Sequence, residues 1–454
     1  MGLDPAKPSP APIDDEPPPN QSLLPSTTAA TTALIFSLLL TTCTTLAAAF
    51  AFAFLFFSSA AVKPSNHHHA AAAATAALQL ARPLAKLTHQ TVILISSDGF
   101  RFGYQFKTPT PNIHRLIQNG TEAETGLISV FPTLTFPNHY SIATGLYPAY
   151  HGIINNKFTN PITNKTFTMS SHEPEWWLGK PIWETIANHG LKPATYFWPG
   201  SEGSWDCPQG FCAPYNESVP FEERVDTVLN YFDLPKDEIP VFMTLYFEDP
   251  DHQGHLVGPD DPEITEAVKN VDGLIGRLIN GLENRGVFED VTIILVGDHG
   301  MVGTCDKRLI FLDDLASWNE IPEEWSGSRD PSAVGSFGFR DRCEDERGFG
   351  VGEVNNRDKL RVFRKEDLPE RLHYSDSDRI PPIIGLVEEG FKIEQRGSGK
   401  AECGGAHGYD NRRKVPSFEN VEIYNLITSI LGINGASNNG SSSFAKTMIL
   451  SHDH

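Results

Sequence analysis

Residues 91–99 read T-V-I-L-I-S-S-D-G, and this stretch decides the fold class of the chain. Residues 92–96 form a short apolar run rich in β-branched side chains, which is typical of a buried strand, and an aspartate follows closely. Two later runs, 240–247 and 291–296, have the same form and also lead into aspartates. The sequence therefore predicts three buried strands, each followed by a carboxylate.

The segment between the second and third predicted strands has the periodicity of a helix. Over residues 263–285, apolar side chains recur every three or four positions and would share one helix face. They are Ile264, Val268, Val271, Leu274, Ile275, Leu278 and Leu282. Buried strands that alternate with amphipathic helices predict an α/β fold with a mostly parallel central sheet flanked by helices.

The aspartates at the predicted strand ends, Asp98, Asp251 and Asp298, carry the first functional signal. In open parallel sheets, ligands bind just beyond the carboxyl ends of the strands, so these residues would gather at one edge. A single aspartate at such a place is often only a helix cap. Three clustered carboxylates repel one another strongly unless cations lie between them, and this favours a metal site.

Histidines accompany these aspartates at spacings that suit zinc. His255 follows Asp251 by four residues, His299 is adjacent to Asp298, and His407 lies in a glycine-rich segment. Mixed Asp/His ligation suits Zn²⁺, and two metal ions about 3.5–4 Å apart are the usual device for in-line displacement at phosphorus. The sequence therefore predicts a two-zinc site, although any one of these histidines alone could equally be a buried structural residue.

Residues 131–139, F-P-T-L-T-F-P-N-H, contain the candidate nucleophile. A threonine hydroxyl is a poor nucleophile at neutral pH, but coordination to zinc lowers its pKa enough to make an alkoxide accessible. Thr135 is the preferred candidate, and Thr133 is a rival on spacing alone.

The acidic composition limits the class of substrate. The 454 residues include 36 Lys and Arg against 57 Asp and Glu, which gives a net charge of −21. Surfaces that follow a nucleic-acid backbone are basic, so this charge argues against a nucleic-acid scaffold. A small phosphate substrate is compatible with it, because bound metal ions supply positive charge locally.

The N-terminal part is predicted to lie outside the catalytic domain, which spans residues 89–450. Residues 1–30 are rich in Pro, Ser and Thr and are expected to be disordered. Residues 33–62 contain no charge and exceed the roughly 20 apolar residues that a transmembrane helix needs. We interpret them as a single-pass signal anchor, with a late signal peptide or an organelle transit segment as alternatives. Residues 63–88 form an Ala- and His-rich linker.

Glycosylation signals and cysteines indicate the compartment. Four Asn-x-Ser/Thr sequons follow the apolar segment, at Asn119, Asn164, Asn216 and Asn439, and so do five of the six cysteines. Both features favour the secretory pathway, with the catalytic domain lumenal or extracellular. The positive-inside rule favours the opposite orientation, but the charge bias around the segment is small.

A series of stretches matches one enzyme family in order along the chain. They are V-I-L-I-S-S-D-G-F-R (92–101), T-F-P-N-H-Y-S-I-A-T-G-L-Y-P (135–148), H-G-I-I-N-N (151–156), W-P-G-S (198–201), Y-N-E-S-V-P-F-E-E-R (215–224), D-H-Q-G-H (251–255), G-D-H-G-M (297–301), R-L-H-Y-S-D-S-D-R-I-P-P (371–382), H-G-Y-D-N (407–411) and F-E-N-V-E-I-Y-N (418–425). The chain thereby resembles the nucleotide pyrophosphatase/phosphodiesterases of the alkaline phosphatase superfamily, the plant-type members most of all. The resemblance covers nearly everything from about residue 91 to 443.

The resemblance implies a role for each matching position. The implied metal ligands are Asp251, His255 and His407 for one zinc ion, and Asp98, Asp298 and His299, with Thr135 beside them, for the other. Asn156 matches the family's donor to a phosphate oxygen. Phe136 and Tyr215 match the pair of rings that sandwiches a nucleobase. Trp198 would either line the same pocket or belong to the core.

The implied reaction is hydrolysis of a nucleotide phosphodiester or pyrophosphate bond, through phospho-threonine at Thr135, with release of a nucleoside monophosphate. Two Zn²⁺ ions would be the cofactors, and nucleoside triphosphates, nucleotide sugars and dinucleotides the substrates. A phosphodiesterase of lipid head groups or a phosphomonoesterase of the same superfamily are alternatives, against which Phe136 and Tyr215 argue. A catalytically inactive isoform is the third hypothesis.

Two stretches depart from the family pattern. After residues 407–411 the family has a further core strand, whereas here a basic segment leads directly into residues 415–418. The family also places a strand at the position of residues 326–356, but here apolar residues do not recur with the spacing of a strand or helix. Loss of sheet strands leaves backbone groups unpaired, at a cost comparable with a domain's net stability of roughly 5–15 kcal/mol, so an altered splice form is expected as an alternative. The predicted disulfides join Cys207 with Cys212 and Cys305 with Cys403.

Overall fold

The computed structural model describes residues 84–203, 210–304, 308–311, 338–339, 356–394, 404–408 and 417–450. All of them belong to one unit, Gln79–His454. The expected disordered tail (1–30) and signal anchor (33–62) lie outside the described residues, as does most of the linker. Within the described ranges, no helix is both long enough and apolar enough to span a bilayer.

Strands and helices alternate along the described chain. The strands are β1 (Thr91–Ser97), β2 (Phe158–Thr159), β3 (Thr166–Phe167), β4 (Pro193–Tyr196), β5 (Phe242–Phe247), β6 (Val291–Val296), β7 (Gly300–Thr304), β8 (Leu309–Phe311), β9 (Gly338–Phe339), β10 (Leu360–Arg364), β11 (Ile383–Val387), β12 (Lys392–Glu394) and β13 (Gly404–Gly408). The α-helices are α1 (Pro111–Gln118), α2 (Thr135–Thr144), α3 (Pro148–His151), α4 (Ile182–Asn188), α5 (Phe221–Tyr231), α6 (Asp251–Val257), α7 (Pro262–Arg285), α8 (Glu422–Ile430) and α9 (Ser442–Leu450). Short 3₁₀ turns lie at Phe102–Phe106, Phe288–Asp290, Arg357–Lys359, Lys365–Asp367 and Glu370–Leu372.

Four parallel strands of the described chain form the central sheet, in the order β4-β5-β1-β6. Ser97 at the end of β1 lies opposite Phe247 at the end of β5, and Ser96 lies opposite Val296 at the end of β6. The three strands expected from the sequence are therefore neighbours that end at one edge. The prediction of an α/β fold with a parallel central sheet is confirmed.

Helices cover both faces of this sheet. Leu94 of β1 belongs to one core cluster with Trp183 of α4, and its neighbour Ile93 belongs to another with Leu278 of α7. Successive side chains of a strand point to opposite faces of the sheet, so these two clusters lie on opposite faces. Because every residue of β1 is buried, the strand reads as a nearly continuous apolar run, as strands covered on both faces do.

The helix expected over residues 263–285 is α7, observed as Pro262–Arg285. The carboxylate of Asp261 accepts a hydrogen bond from the Glu263 N–H at 2.9 Å and caps the start, where a proline occupies the first position. Gly286, at φ +64°, ends the helix in the left-handed conformation. Each apolar residue assigned to the inner face is buried, so the predicted helix and its orientation are confirmed.

Smaller strand pairs lie beyond the carboxyl edge of the central sheet. β7 follows Asp298 and His299 and pairs antiparallel with β13, which puts His407 opposite Met301. β12 pairs with β8, while β11 pairs with both β9 and β10. The atypical stretch 326–356 is described only at β9 and at its last residue.

Buried His151, at the end of α3, joins that helix to α2. Its Nδ1 accepts a hydrogen bond from the Ile153 N–H at 3.2 Å, so this nitrogen carries no proton. Its Nε2 lies 3.1 Å from the carbonyl oxygen of Pro137, which can only accept, so the proton sits on Nε2 and the ring is neutral. Burial lowers the pKa of His151 to about 3.

We expect His151 to make the protein acid-sensitive. Because its folded-state pKa is lowered to about 3 from an ordinary 6.5, its stabilising contribution is present above pH 6.5 and is lost as pH falls toward 3. The unfolding free energy should fall by up to about 1.4 kcal/mol per pH unit over that range. His151→Gln should flatten this slope in urea titrations at several pH values. His114→Gln, at an exposed histidine, should leave the slope unchanged, and equal slopes in both variants would contradict this assignment.

Candidate active site

The carboxylates at the sheet edge converge as the sequence predicts. Asp98 follows β1, Asp298 follows β6, and Asp251 is the first residue of α6, just after β5. Ligand atoms of Asp98, Asp251 and His299 all lie within 4.8 Å of one another, as do those of Asp98, His139 and Asp298. Asp98 and Asp298 are 2% and 0% exposed, so the site concentrates negative charge in a buried place.

His299 faces both buried aspartates. Its Nδ1 lies 3.0 Å from the carbonyl oxygen of Gly300, which can only accept, so Nδ1 carries a proton. Its Nε2 lies 3.1 Å from Asp298 Oδ2, 3.3 Å from Asp98 Oδ1 and 3.4 Å from Thr135 Oγ1. The Nε2 of His299 therefore faces the point where two carboxylate oxygens and a hydroxyl meet, while its other nitrogen is held as metal-binding histidines hold theirs.

Two carboxylate oxygens at this point lack a hydrogen-bond donor. No described residue donates to Asp98 Oδ1 or to Asp298 Oδ2, although both atoms are buried. A buried charged acceptor without a donor costs free energy, and a cation between the two oxygens would satisfy both. Carboxylate oxygens with an imidazole nitrogen form a donor set that suits Zn²⁺, so the residues present fit a divalent metal ion.

The protonation of Asp98 follows from the same crowding. Burial is the largest cause that raises its pKa well above the ordinary value, and the charges of Asp298 and Asp251 add to it. The hydroxyl of Tyr246, which donates to Asp98 Oδ2 at 2.6 Å, opposes the shift only in part. Burial and repulsion therefore disfavour the charged form of Asp98, and a bound cation would offset that cost.

Asp298 is stabilised as a charged group. Burial opposes its ionisation, but interactions with His299 and His139 outweigh this, so its pKa is lowered. The N–H of Gly99 adds to this effect by donating to Asp298 Oδ1 at 2.9 Å. The two aspartates therefore differ: Asp298 is anchored as a carboxylate, whereas Asp98 needs a further positive charge.

Thr135 opens helix α2 beside this centre. It is the first helical residue, so its hydroxyl lies at the positive end of the helix dipole. It is 8% exposed, and its Oγ1 is 3.4 Å from His299 Nε2. Among the described residues, a hydrogen bond links Thr135 but not the rival Thr133 to this centre, and the choice of Thr135 as nucleophile stays a prediction.

His139 belongs to the same centre, although the sequence assigned it no role. Its Nδ1 lies 2.8 Å from the carbonyl oxygen of Thr135 and 3.3 Å from Asp298 Oδ2, and its Nε2 lies 2.8 Å from Ser96 Oγ. The ring is fully buried and ties α2 to β1. The available signal was its spacing of four residues from Thr135, which puts both residues on one helix face.

A second group of predicted ligands lies on α6. His255 Nε2 is 3.3 Å from Asp251 Oδ2, one helical turn away, and the two side chains are 33% and 14% exposed. Helix α6 packs against β13, the strand that contains His407. The backbone of His407 therefore lies beside both α6 and β7, and its side chain is outside what the structure describes.

Asn156 is held next to Thr135. Its Oδ1 accepts a hydrogen bond at 2.9 Å from the N–H of Phe136, the residue after Thr135. This bond orients the amide and leaves its Nδ2 as a donor beside the start of α2. The contact of Asn156 with a phosphate oxygen stays a prediction.

The two rings expected to stack on a nucleobase pack against different neighbours. Phe136 packs against Phe167 and Trp177, with ring centroids 6.1 and 6.3 Å apart. Tyr215 is 46% exposed and contacts Phe197 at 5.5 Å. Among the described residues, no ring contact joins Phe136 to Tyr215, so the two rings do not stack on each other.

A buried arginine supports Tyr215 through Glu248. The Tyr215 hydroxyl donates to Glu248, and Arg224 Nη1 lies 2.8 Å from the other oxygen of that carboxylate. Arg224 is fully buried, with its guanidinium 5.2 Å from the ring centre of Phe197 and 4.8 Å from that of Phe221. Sequence reasoning missed this support, although Arg224 ends the family-like stretch 215–224.

Trp198 belongs to the core rather than to an open pocket. It is 2% exposed, its Nε1 donates to the carbonyl oxygen of His139 at 3.1 Å, and its ring packs on that histidine at 5.0 Å. Trp198 therefore packs against and supports α2, the helix that begins with Thr135.

The structure describes one of the cysteines and all of the sequon asparagines that predict secretion. Cys212 is disulfide-bonded, whereas the remaining predicted disulfide cysteines, Cys207, Cys305 and Cys403, lie outside the described residues. The four sequon asparagines, Asn119, Asn164, Asn216 and Asn439, are exposed and thus accessible to a glycan.

Comparison with known proteins points to one family. Residues 92–410 match the family model of type I phosphodiesterase / nucleotide pyrophosphatase. Venom phosphodiesterase 2 of Crotalus adamanteus is 39% identical over 380 residues, which cover 77% of this chain and 46% of that protein. The human ectonucleotide pyrophosphatase/phosphodiesterase family member 1 is 38% identical over 381 residues, 77% of this chain and 40% of that protein. The chain thus spans less than half the length of these relatives.

Other relatives are matched over most of their length. An uncharacterised pyrophosphatase/phosphodiesterase of Schizosaccharomyces pombe is 34% identical over 389 residues, 77% of this chain and 78% of that protein. Murine ectonucleotide pyrophosphatase/phosphodiesterase 5, solved as an inactive variant in complex with AMP, superimposes with a TM-score of 0.69 at 31% identity. That superposition covers 79% of this chain and 99% of the murine one.

We expect Zn²⁺ to stabilise the protein through Asp98. A ligand that binds only the folded state raises the melting temperature, so excess Zn²⁺ added to EDTA-treated protein should raise it by roughly 5–10 °C. Asp98→Asn should lose most of this increment and should raise the metal-free melting temperature, because it removes one of the repelling charges. Asp233→Asn, at an exposed carboxylate paired with Arg285, is the matched control and should keep the increment. A full increment in Asp98→Asn would exclude this carboxylate as a ligand.

Proposed function

The chain belongs to the type I phosphodiesterase / nucleotide pyrophosphatase family, and on that premise we propose that it hydrolyses nucleotide phosphodiester or pyrophosphate bonds and releases a nucleoside monophosphate. The observation that carries the proposal is the position of Thr135. Its hydroxyl lies at a helix N-terminus, 3.4 Å from His299 and beside the buried carboxylates at the end of the central sheet. This arrangement suits a phospho-threonine mechanism.

Two Zn²⁺ ions are the proposed cofactors. The residues that would hold them are Asp98, Asp298 and His299, with Thr135, for one ion and Asp251, His255 and His407 for the other. Bound there, the ions would supply the positive charge that makes the threonine hydroxyl ionisable and that offsets charge on the phosphate.

Thr135 would act in two in-line displacements. In the first, its Oγ loses a proton and bonds to phosphorus as the bond from phosphorus to the leaving oxygen breaks, and the leaving group takes up a proton. In the second, a water oxygen bonds to phosphorus from the opposite side, the Oγ–P bond breaks, and Thr135 regains its hydroxyl. The N-terminus of α2 favours negative charge at Oγ in both steps.

Asn156 and the two aromatic walls would position the nucleotide. With its Oδ1 held by the Phe136 N–H, Asn156 can donate from Nδ2 to a nonbridging phosphate oxygen. A nucleobase entering beside Phe136 and Tyr215 would stack on exposed ring faces, a contact that tolerates any base. The AMP bound by the murine relative supports nucleotides as the substrate class. Nucleoside triphosphates, nucleotide sugars and dinucleotides all fit this description.

The cellular setting is also a proposal. Exposed sequon asparagines and a disulfide-bonded Cys212 support a lumenal or extracellular catalytic domain. The relatives named as ectonucleotide enzymes and venom enzymes agree with it. A membrane anchor at residues 33–62 stays a prediction from the sequence.

Substitution of Thr135 tests the proposal directly. The purified protein with Zn²⁺ should split p-nitrophenyl-TMP and release a nucleoside monophosphate from ATP. Thr135→Ala should lower kcat by at least about 10³-fold, because a nucleophile contributes in the transition state only. Thr133→Ala, in the same loop, should stay within about threefold of the wild type. A folded, zinc-loaded protein inactive on all these substrates would refute the function, and a preference for p-nitrophenyl phosphate would indicate a phosphomonoesterase.

Tyr215 should act through its ring and not through its hydroxyl. Loss of base stacking costs roughly 1–3 kcal/mol, so Tyr215→Ala should raise KM for p-nitrophenyl-TMP by about 5- to 100-fold. Tyr215→Phe keeps the ring and loses only the contact with Glu248, so its KM should change little. Because Tyr215 is 46% exposed, neither variant should affect folding. Equal KM values for Tyr215→Ala and the wild type would remove Tyr215 from the nucleotide site.

A further inference from the structure

We propose that Asn420, in the segment that precedes α8, is a positioning residue for the nucleophile. It touches neither the carboxylates nor Thr135, and it acts through Asn138. Its amide completes the hydrogen bonding of Asn138, and Asn138 holds the loop that delivers Thr135 to the sheet edge. The inference rests on the proposed function to the extent that Thr135 is the reacting residue.

Asn138 holds in place the loop that precedes Thr135, residues 128–134, which we call the nucleophile loop. It is the fourth residue of α2 and is fully buried. Its Nδ2 donates to two carbonyl oxygens of the preceding loop, those of Pro132 at 3.0 Å and Leu134 at 2.9 Å. Its Oδ1 accepts from the N–H of Val130 at 2.9 Å. One side chain therefore pins the loop at its start and again immediately before Thr135.

Asn420 supplies the remaining bond. Its Nδ2 donates to Asn138 Oδ1 at 2.8 Å, and Asn420 is itself fully buried. The atoms can be assigned, because the Val130 N–H can only donate and so fixes the atom it meets on Asn138 as oxygen. With Asn420 in place, both lone pairs of Asn138 Oδ1 and both protons of Nδ2 are used, which leaves the amide no alternative partner or orientation.

The backbone before α8 brings Asn420 to this point. The N–H of Ile128 donates to the carbonyl oxygen of Phe418 at 2.9 Å, and the N–H of Asn420 donates to the carbonyl oxygen of Ile128 at 3.0 Å. Glu419 accepts a hydrogen bond from the Tyr147 hydroxyl at 2.6 Å. Residues 418–420 therefore lie against the nucleophile loop like an added strand. They follow directly on residues 412–417, where the sequence departs from the family pattern.

The consequence for catalysis is geometric. Leu134, whose carbonyl oxygen accepts from both the backbone N–H and Nδ2 of Asn138, is the residue immediately before Thr135. If Asn138 loses its partner, this carbonyl and the Thr135 hydroxyl gain freedom. A displacement of about 1 Å at a reacting atom can cost roughly 10²-fold in rate, while binding of the nucleotide elsewhere is unaffected.

Asn420→Asp tests this with a change of one group. The variant keeps the shape of the side chain but presents an acceptor to Asn138 Oδ1, so the bond becomes a repulsion. We expect kcat for p-nitrophenyl-TMP to fall about 10- to 100-fold while KM stays within about twofold. Hydrogen–deuterium exchange should become faster in peptides covering residues 128–138.

Asn425→Asp is the matched control. Asn425 lies in α8, five residues further on, and exchanges side-chain hydrogen bonds with Asn438 away from the nucleophile loop. It should lower the melting temperature to a similar extent but leave kcat and the exchange of residues 128–138 unchanged. Equal kcat losses in both variants would mean that the effect is general destabilisation, and would overturn the proposal.

The other outcomes are also decisive. If Asn420→Asp does not fold, Asn420→Ser replaces it, since serine is too short to reach Asn138 and brings no buried charge. Unchanged exchange at residues 128–138 in a folded variant, or faster exchange with kcat within about twofold of the wild type, overturns the positioning role. A wild-type protein without activity refutes the proposed function instead, and the exchange measurement still decides whether Asn420 holds the loop.

Discussion

Two buried carboxylates, Asp98 and Asp298, lie together at the ends of neighbouring parallel strands, and the rest of the site is arranged around their charge. Strand pairing makes their proximity unavoidable, since β1 and β6 are adjacent and in register to their last residues. Repulsion between two buried carboxylates costs free energy unless positive charge lies nearby. His139, His299 and the N–H of Gly99 supply it for Asp298, while Asp98 retains a raised pKa and the free oxygen that a cation would occupy.

Helix α2 converts this charged edge into a site that can react. Its first residue is Thr135, and the N–H of its second donates to Asn156. Its fourth residue is hydrogen-bonded to the preceding loop, and its fifth, His139, contacts Asp298. Burial of nearly every residue of the helix explains why its sequence lacks an amphipathic pattern. Trp198 and the segment before α8 both hold this helix through hydrogen bonds, so the Thr135 hydroxyl is positioned by the core of the protein.

The surroundings of Tyr215 follow a different principle. Tyr215 is half exposed, its ring packs on Phe197, and its hydroxyl donates to Glu248, which in turn is bound by Arg224. The charge of that arginine is buried between aromatic rings, where the carboxylate and backbone carbonyls satisfy part of its donors. Under the proposed function, phosphorus would lie at the rigid buried centre and the base beside the more accessible ring. The reacting atoms are common to all nucleotides and the bases are not, so this arrangement would accept different bases.

The sequence by itself determined the elements with strong local periodicity and the residues placed at their ends. β1, β5, β6 and α7 could be predicted because apolar spacing reports burial directly, and the three aspartates because the carboxyl ends of parallel strands meet at one edge. Only the tertiary structure decided which side chains support the site. Ser96 and His139 are 43 residues apart, and Asn138 and Asn420 are 282 apart, so no local pattern records their hydrogen bonds. Such contacts depend on which buried donor meets which acceptor after packing, and this is decided when the whole chain has folded.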